Sequence, residues 1–255
     1  MHHAFALVGP GRAGTTVALA LRSRGWGATA VAGRAPDSPA VVAAASRLDA
    51  RRATVADAAA ALAPGLRPGA LVLHLSGACT LAELDKVRLA RPDVEVGSLH
   101  PLQSFPSAEL GVARLPGSWC AVEGPAGVER LAISLGMRPF RVDPALRATY
   151  HAAATVASNH LVALLGQATR LAEAAGLPPG ALVPLVRSTL ANVEAVGPAA
   201  ALTGPVLRGD AETVARHLAV LPAAERPAYR ALAERALELS GRDRPSLRAL
   251  LEDAP

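Results

Sequence analysis

Apolar positions in the first half of the chain come in short continuous runs separated by longer runs of helical period. "FALVG" (5–9) reads as a buried strand and "RAGTTVALALRSRG" (12–25) as a helix that stops at a glycine. "ATAVAGR" (28–34), "ALVLHLS" (70–76), "VEVGSLH" (94–100), "WCAVEG" (119–124) and "RPFRVD" (138–143) read as further strands. Helical patterns fall between them at 40–48, 80–90 and near 125–136. Strand and helix at this rhythm predict an α/β fold, a doubly wound, mostly parallel sheet covered by helices. After Asp143-Pro144 only helical patterns follow, separated by "GLPPG" (176–180), "GPAAALTGPVLRGD" (197–210) and "LPAAERP" (221–227). The change of character predicts a domain boundary there, with residues 1–143 as the α/β domain and 144–255 as an all-α domain.

The first strand runs into "LVGPGRAG", which sets Gly9, Gly11 and Gly14 in the spacing G-x-G-x-x-G at a strand-to-helix turn. Such a loop binds a dinucleotide pyrophosphate. Gly9 permits the tight turn, Gly11 lets the backbone approach the phosphates, and Gly14 lets the helix sit close to the sheet. Pro10, Arg12 and Ala13 complete the loop, and the helix N-terminus offers N–H groups and a positive dipole end. A glycine turn without a nucleotide is the plain alternative. Arg34 stands where an acidic residue would bind the ribose hydroxyls of NAD, and no acid follows until Asp37. An arginine there suits a 2′-phosphate, so NADP is the expected cofactor.

Ligands of doubly wound sheets lie beyond the carboxyl ends of the strands, and two of those ends are polar. In "LVLHLSGA" alternation puts His74 and Ser76 on one side, with Ser76 at the exit. In "GSLHPLQSF" His100 stands at the exit, and Pro101 holds it in extended backbone. His100 reads as an acid/base or as a surface histidine; His74 reads as a half-buried strand residue. Gln103 and Ser104 follow as candidates for orienting a substrate. On the helix "YHAAATVASNHLVALLGQATRL", a spacing of 100° per residue gathers His151, Thr155, Ser158 and, less centrally, Asn159. His160 points the other way with Gln167, so the two helix histidines cannot serve one site if the helix is straight. Leu161, Leu164 and Leu165 read as core.

Composition trims the alternatives. The net charge is +5, but nearly all of the basic charge is arginine, scattered among acids, and Lys86 is the sole lysine. Without a basic stripe or an aromatic platform, nucleic acid is not an expected partner. Ala148 to Thr169 carries no charged side chain, yet its histidines, amides and hydroxyls make a buried helix the expectation and a membrane span not. Cys79 and Cys120 lie far apart in no metal-ligand spacing. With an N-terminus lacking the layout of a signal peptide, they predict reduced thiols and a cytoplasmic protein. No metal is expected.

Together "GPGRAG", "HLSGA", "HPLQSF", "AVEG", "YHAAATVASNHLVAL" and "ALTGPVLRGD" resemble the Rossmann-like proteins with a DUF2520 C-terminal domain. These are distant relatives of F420-dependent NADP oxidoreductases, ketopantoate reductases and pyrroline-5-carboxylate reductases. The resemblance implies a Rossmann-type NADP-binding domain and a helical C-terminal domain like that of 6-phosphogluconate dehydrogenase, often dimerising, so a homodimer is expected. Prephenate and arogenate dehydrogenases are similar in their His-Pro and earlier serine, which correspond to His100 and Ser76. In them the histidine bonds the substrate hydroxyl. The lysine that β-hydroxyacid dehydrogenases carry one turn before an asparagine is absent here, where Thr155 precedes Asn159. A histidine, His100 or His151, is then the candidate acid/base. Ser76 and Asn159 are candidates for holding a carbonyl oxygen, and Thr155 for lining the same helix face. Thr203 and Arg208 of "ALTGPVLRGD" are candidates for an anionic substrate group, unless that stretch is turn and cap alone. The expected activity is hydride transfer between NADP(H) and a small oxo or hydroxy acid-like compound. The alternative is a non-catalytic NADPH sensor or scaffold.

Overall fold

The alternation of strands and helices is realised in a computed structural model that describes residues 4–9, 11–33, 37–54 and 66–252. The chain forms two compact units, residues 1–160 and 161–255. Pro10 and Arg34 lie outside the described residues.

The first unit holds seven described strands in two hydrogen-bonded groups. β1 (Ala4–Val8), β2 (Gly27–Gly33) and β3 (Arg51–Thr54) run parallel in that order. β4 (Leu71–His74), β5 (Glu95–Pro101), β6 (Trp119–Glu123) and β7 (Arg138–Phe140) form the second group, parallel except for the β5–β6 pair. No pairing joins the groups among the described residues; α1 (Arg12–Arg22) binds them through apolar burial. Its Val17, Ala20 and Leu21 pack with Leu99, Cys120 and Val122 of the second group. Its Ala18 packs with Leu7, Val31 and Val41 of the first. A helix buried along two sides needs small and β-branched residues all round, which is what "GTTVALAL" supplies. The unit is the α/β, mostly parallel sheet covered by helices that the strand rhythm predicts.

Register decides what each face of the second group carries. His74 pairs with Ser98, Ser98 with Glu123, His100 with Ala121 and Ala121 with Phe140. Directly paired residues share a face, and alternate residues return to it. One face therefore bears His74, Ser98, Glu123, His100 and Phe140. The other bears Leu73, Gly97, Leu99, Cys120 and Val122, and packs on the helix Ala126–Ser134 (α5). Gly97 allows that approach. A Cβ there would run into Val128 Cγ2 and stand 3.0 Å from both Glu123 O and Leu73 Cδ2.

The first unit runs past the change of character at residue 144 to His160. The reason is electrostatic: Arg147, on the first turn of the helix Arg147–Thr155 (α6), is 2% exposed and bonded to the polar face of the sheet. Beyond Thr155 the helix is not the straight rod the stripe assumes. Val156–His160 form a π-helical turn before the helix Leu161–Ala174 (α7) begins. A π turn breaks the phase of 100° per residue, so faces on either side of it do not align. Nor is the segment a buried helix: in α7 only Gln167 is buried, and Leu164 is 38% exposed.

The second unit is all helical. Its core joins Val206, Val214, Leu218, Ala233, Leu237, Leu247 and Leu251. Gln167 donates to the Glu225 carbonyl at 2.9 Å, and Arg170 pairs with the Glu225 carboxylate at 2.8 Å. Gly209 closes the turn Pro205–Arg208 in the left-handed conformation, and Asp210 caps the next helix by accepting from Thr213 N–H at 3.0 Å. The stretch thus acts as turn and cap. No helix among the described residues is long and apolar enough to cross a membrane.

Candidate active site

Two features of the first unit carry chemistry. The first is the loop between β1 and α1. Gly9 has φ +75°, a conformation that suits glycine, and Gly11 N–H turns back to Gly9 O at 2.8 Å. A Cβ on Gly14 would stand 3.0 Å from Gly9 O and 3.1 Å from Leu7 Cδ1, so glycine sets the closeness of helix and strand. Above Gly9 and Gly11 a Cβ would meet nothing within 4 Å. No side chain caps α1 at Gly11, and its first turn holds no acid. Arg12 is exposed and Ala13 half-buried. An open, uncapped helix N-terminus with glycines where backbone must approach a ligand fits a dinucleotide pyrophosphate.

The second feature is a cluster on the polar face where β4 and β5 end. His100, last but one in β5, lies with His151 of α6 at a ring-centroid separation of 6.0 Å. Its Nδ1 is 2.7 Å from the Tyr150 hydroxyl, with the rings nearly perpendicular at 86°. Tyr150 in turn meets Phe140 edge-on at 5.8 Å. The Gly77 backbone borders both imidazoles. A Cβ on Gly77 would stand 2.6 Å from His151 Cδ2 and 2.7 and 2.8 Å from His100 Cε1 and Nε2. Only glycine lets the β4 exit loop come so close to both rings.

Beneath them lies Arg147. Its guanidinium donates to Glu123 Oε2 at 2.8 Å, to the Ser76 carbonyl at 3.0 Å, and to the Ser98 hydroxyl. One residue thus ties α6, β5, β6 and the exit of β4 together. Ser76 lies just past β4 in a turn of its own, where its N–H donates to His74 Nδ1 at 3.3 Å and its Oγ accepts from Cys79 N–H at 3.2 Å. Because His74 Nδ1 accepts, its Nε2 carries the proton and donates to the Thr80 carbonyl at 3.2 Å.

These surroundings keep His100 and His74 neutral. Burial, and then the charges of His151, Arg147 and His74, push His100 down from the usual 6.5 to about 4. His74 is also lowered, by burial first and then by Arg147. Burial pushes the Tyr150 hydroxyl up to about 12, with Arg147 opposing. At neutral pH the cluster is therefore a neutral imidazole bonded to a neutral phenol.

Of the candidates read from the sequence, His100 and His151 are brought together, with the Ser76 turn beside them through Arg147. Thr155 spends its hydroxyl proton on the His151 carbonyl at 3.0 Å. Asn159 is exposed on the π turn. Gln103 and Ser104 are exposed beyond β5, and Gln103 Oε1 accepts from Ser104 N–H at 2.8 Å. Thr203 and Arg208 are exposed in the second unit, where Arg208 lies 3.9 Å from Asp210. Sequence reasoning missed Tyr150, Arg147, Glu123, Ser98 and Gly77. One signal for the first two was available: Arg147 and His151 are four apart on a helix, and Tyr150, one of two tyrosines, adjoins the histidine.

Comparison with known proteins agrees with this architecture. A family model described as a domain of unknown function, DUF2520, matches residues 119–236, so the match begins in β6 and not at the helical half. Comparison with curated proteins gives no match. Among solved structures, a candidate NADP oxidoreductase from Bacteroides fragilis is similar at TM-score 0.76 and 23% identity, over 93% of this chain and 98% of that one. Protein TM1727 from Thermotoga maritima is similar at TM-score 0.56 and 20% identity, over 97% and 98%. An NADH-preferring ketol-acid reductoisomerase from an uncultured archean gives TM-score 0.51 and 14% identity, over 92% and 82%. At these identities the likeness is one of fold. Residues 119–236 thus match the DUF2520 domain, and the chain has a Rossmann-like fold.

Proposed function

We propose that the chain is an NADP(H)-dependent oxidoreductase acting on a small oxo or hydroxy compound. The observation that carries the reading is the pair His100–His151 at a strand exit, in the same unit as an open glycine loop. Ligands of open α/β sheets lie at such exits. Gly9, Gly11, Arg12, Ala13 and Gly14 would hold the pyrophosphate, and Arg34 the 2′-phosphate that distinguishes NADP from NAD. The bound dinucleotide supplies or accepts a hydride. The chain's own groups position the substrate and handle its proton. His100, neutral and half-buried, bonds the reacting oxygen, His151 stands next to it, and Ser76, whose hydroxyl proton is not spent on the Cys79 amide, is a second donor to that oxygen. The name of the Bacteroides fragilis protein points the same way.

The test is nucleotide binding followed by turnover of NADPH with a panel of small oxo acids, ketones and imines. NADPH should bind more tightly than NADH, and Arg34→Ala should weaken NADPH alone. Alanine at His100 or His151 should lower turnover by ~10²-fold or more for the residue that handles the proton. Failure to bind either nucleotide, or full activity in both histidine variants, would overturn the reading.

A further inference from the structure

Tyr150 has no part in the reading so far, yet it makes the one short bond to His100, at 2.7 Å. We infer that Tyr150 is a positioning residue: its hydroxyl donates to His100 Nδ1, locks the ring in the Nε2–H tautomer, and so presents an N–H donor to the substrate. The inference rests on His100 being the group that meets the substrate.

Three observations carry it. A phenol beside a neutral imidazole is the natural donor, and among the described residues the Tyr150 hydroxyl meets no other acceptor. The reverse arrangement would leave the phenolic proton without an acceptor in a half-buried place. Next, the tyrosine is not free to swing. Phe140 meets its ring edge-on at 5.8 Å and His100 meets it at 5.6 Å. Finally, Nε2, the ring nitrogen that Tyr150 does not engage, lies on the edge of the ring beside Gly77 and the His151 side. The ring's two nitrogens thus face different neighbours.

The consequence concerns substrate class. A neutral imidazole held with its N–H outward polarises an acceptor, as a hydrogen-bond donor that does not need to be charged. The group it suits is a carbonyl oxygen or an imine nitrogen, met in the reducing direction. Burial keeps the imidazole from charging at neutral pH, which suits the same role.

The experiment is nitrogen-15 NMR of the full chain with labelled histidine, with the His100 signals identified by their loss in His100→Gln. The wild type should show one pyridine-like nitrogen, Nδ1, and one pyrrole-like nitrogen, Nε2. Tyr150→Phe keeps the edge-on ring and deletes the hydroxyl, and it should lose that separation as both tautomers become populated. A wild-type Nδ1–H tautomer, or a Tyr150→Phe spectrum like the wild type, would overturn the inference. The wild-type measurement decides the matter even if the variant does not fold. Turnover plays no part in it, so failure of the oxidoreductase reading is seen separately, in the nucleotide and activity assays.

Discussion

The two faces of the β4–β7 sheet are made by the same residues' neighbours, yet they are stabilised in opposite ways. On one face Leu73, Leu99, Cys120 and Val122 meet α1 and α5 through shape alone. On the other, Ser98, Glu123 and His100 meet α6 through a buried guanidinium and a phenol. Apolar packing is tolerant, because any side chain of suitable volume excludes water. A polar face is not: every buried donor or acceptor left without a partner keeps its full desolvation cost. The comparison therefore says where the molecule is brittle.

The largest effect should come from the polar face. Arg147→Met removes the one cation that serves Glu123, Ser98 and the Ser76 carbonyl together. It leaves a carboxylate buried to 18% exposure without its partner. The expected loss is about 3–5 kcal/mol in urea unfolding, and Glu123→Leu in the same chain should restore much of it. A loss below about 1 kcal/mol would mean that the face is effectively solvated. On the apolar face the strongest challenge is Gly97→Ala, whose added methyl is blocked by Val128, Leu73 and the Glu123 carbonyl. Overpacking there should cost about 1–3 kcal/mol, less than the arginine, with the histidine cluster unchanged.

The same contrast explains what the sequence made legible. The apolar face and its strands are local information: "LVLHLS" and "VEVGSLH" alternate, and alternation alone puts His74 and Ser76 on one side of their strand. The glycine loop was legible for a similar reason, since strand, spacing and helix adjoin. The partners on the polar face were not. Arg147 reaches acceptors 24, 49 and 71 residues away, and no periodicity within a helix announces that. It read as one more scattered arginine. Gly77 stood out in no pattern, because a glycine's reason for being glycine lies in the rings pressed against it. The helix stripe misled where Val156–His160 take a π turn, since a backbone insertion shifts phase without altering composition.

The most discriminating effect is in acid. Unfolded, the His100 imidazole takes a proton as pH falls through about 6.5. Folded, it resists until about 4, because burial and the neighbouring His151, Arg147 and His74 disfavour a second cation there. Between those values the unfolded chain binds more protons than the folded one, so stability falls as pH is lowered through that window. Above the window the residue contributes no slope, and below it the loss is complete. His74, lowered for the same reasons, adds to the decline in the same direction. Other acid-sensitive groups act in wild type and variant alike, so the difference between the two isolates His100. Urea midpoints measured from pH 7 to pH 4 should fall less steeply in His100→Gln than in the wild type. Parallel curves would mean that His100 is as wet as a surface residue. The polar face would then resemble an open groove, and its brittleness would belong to Arg147 alone.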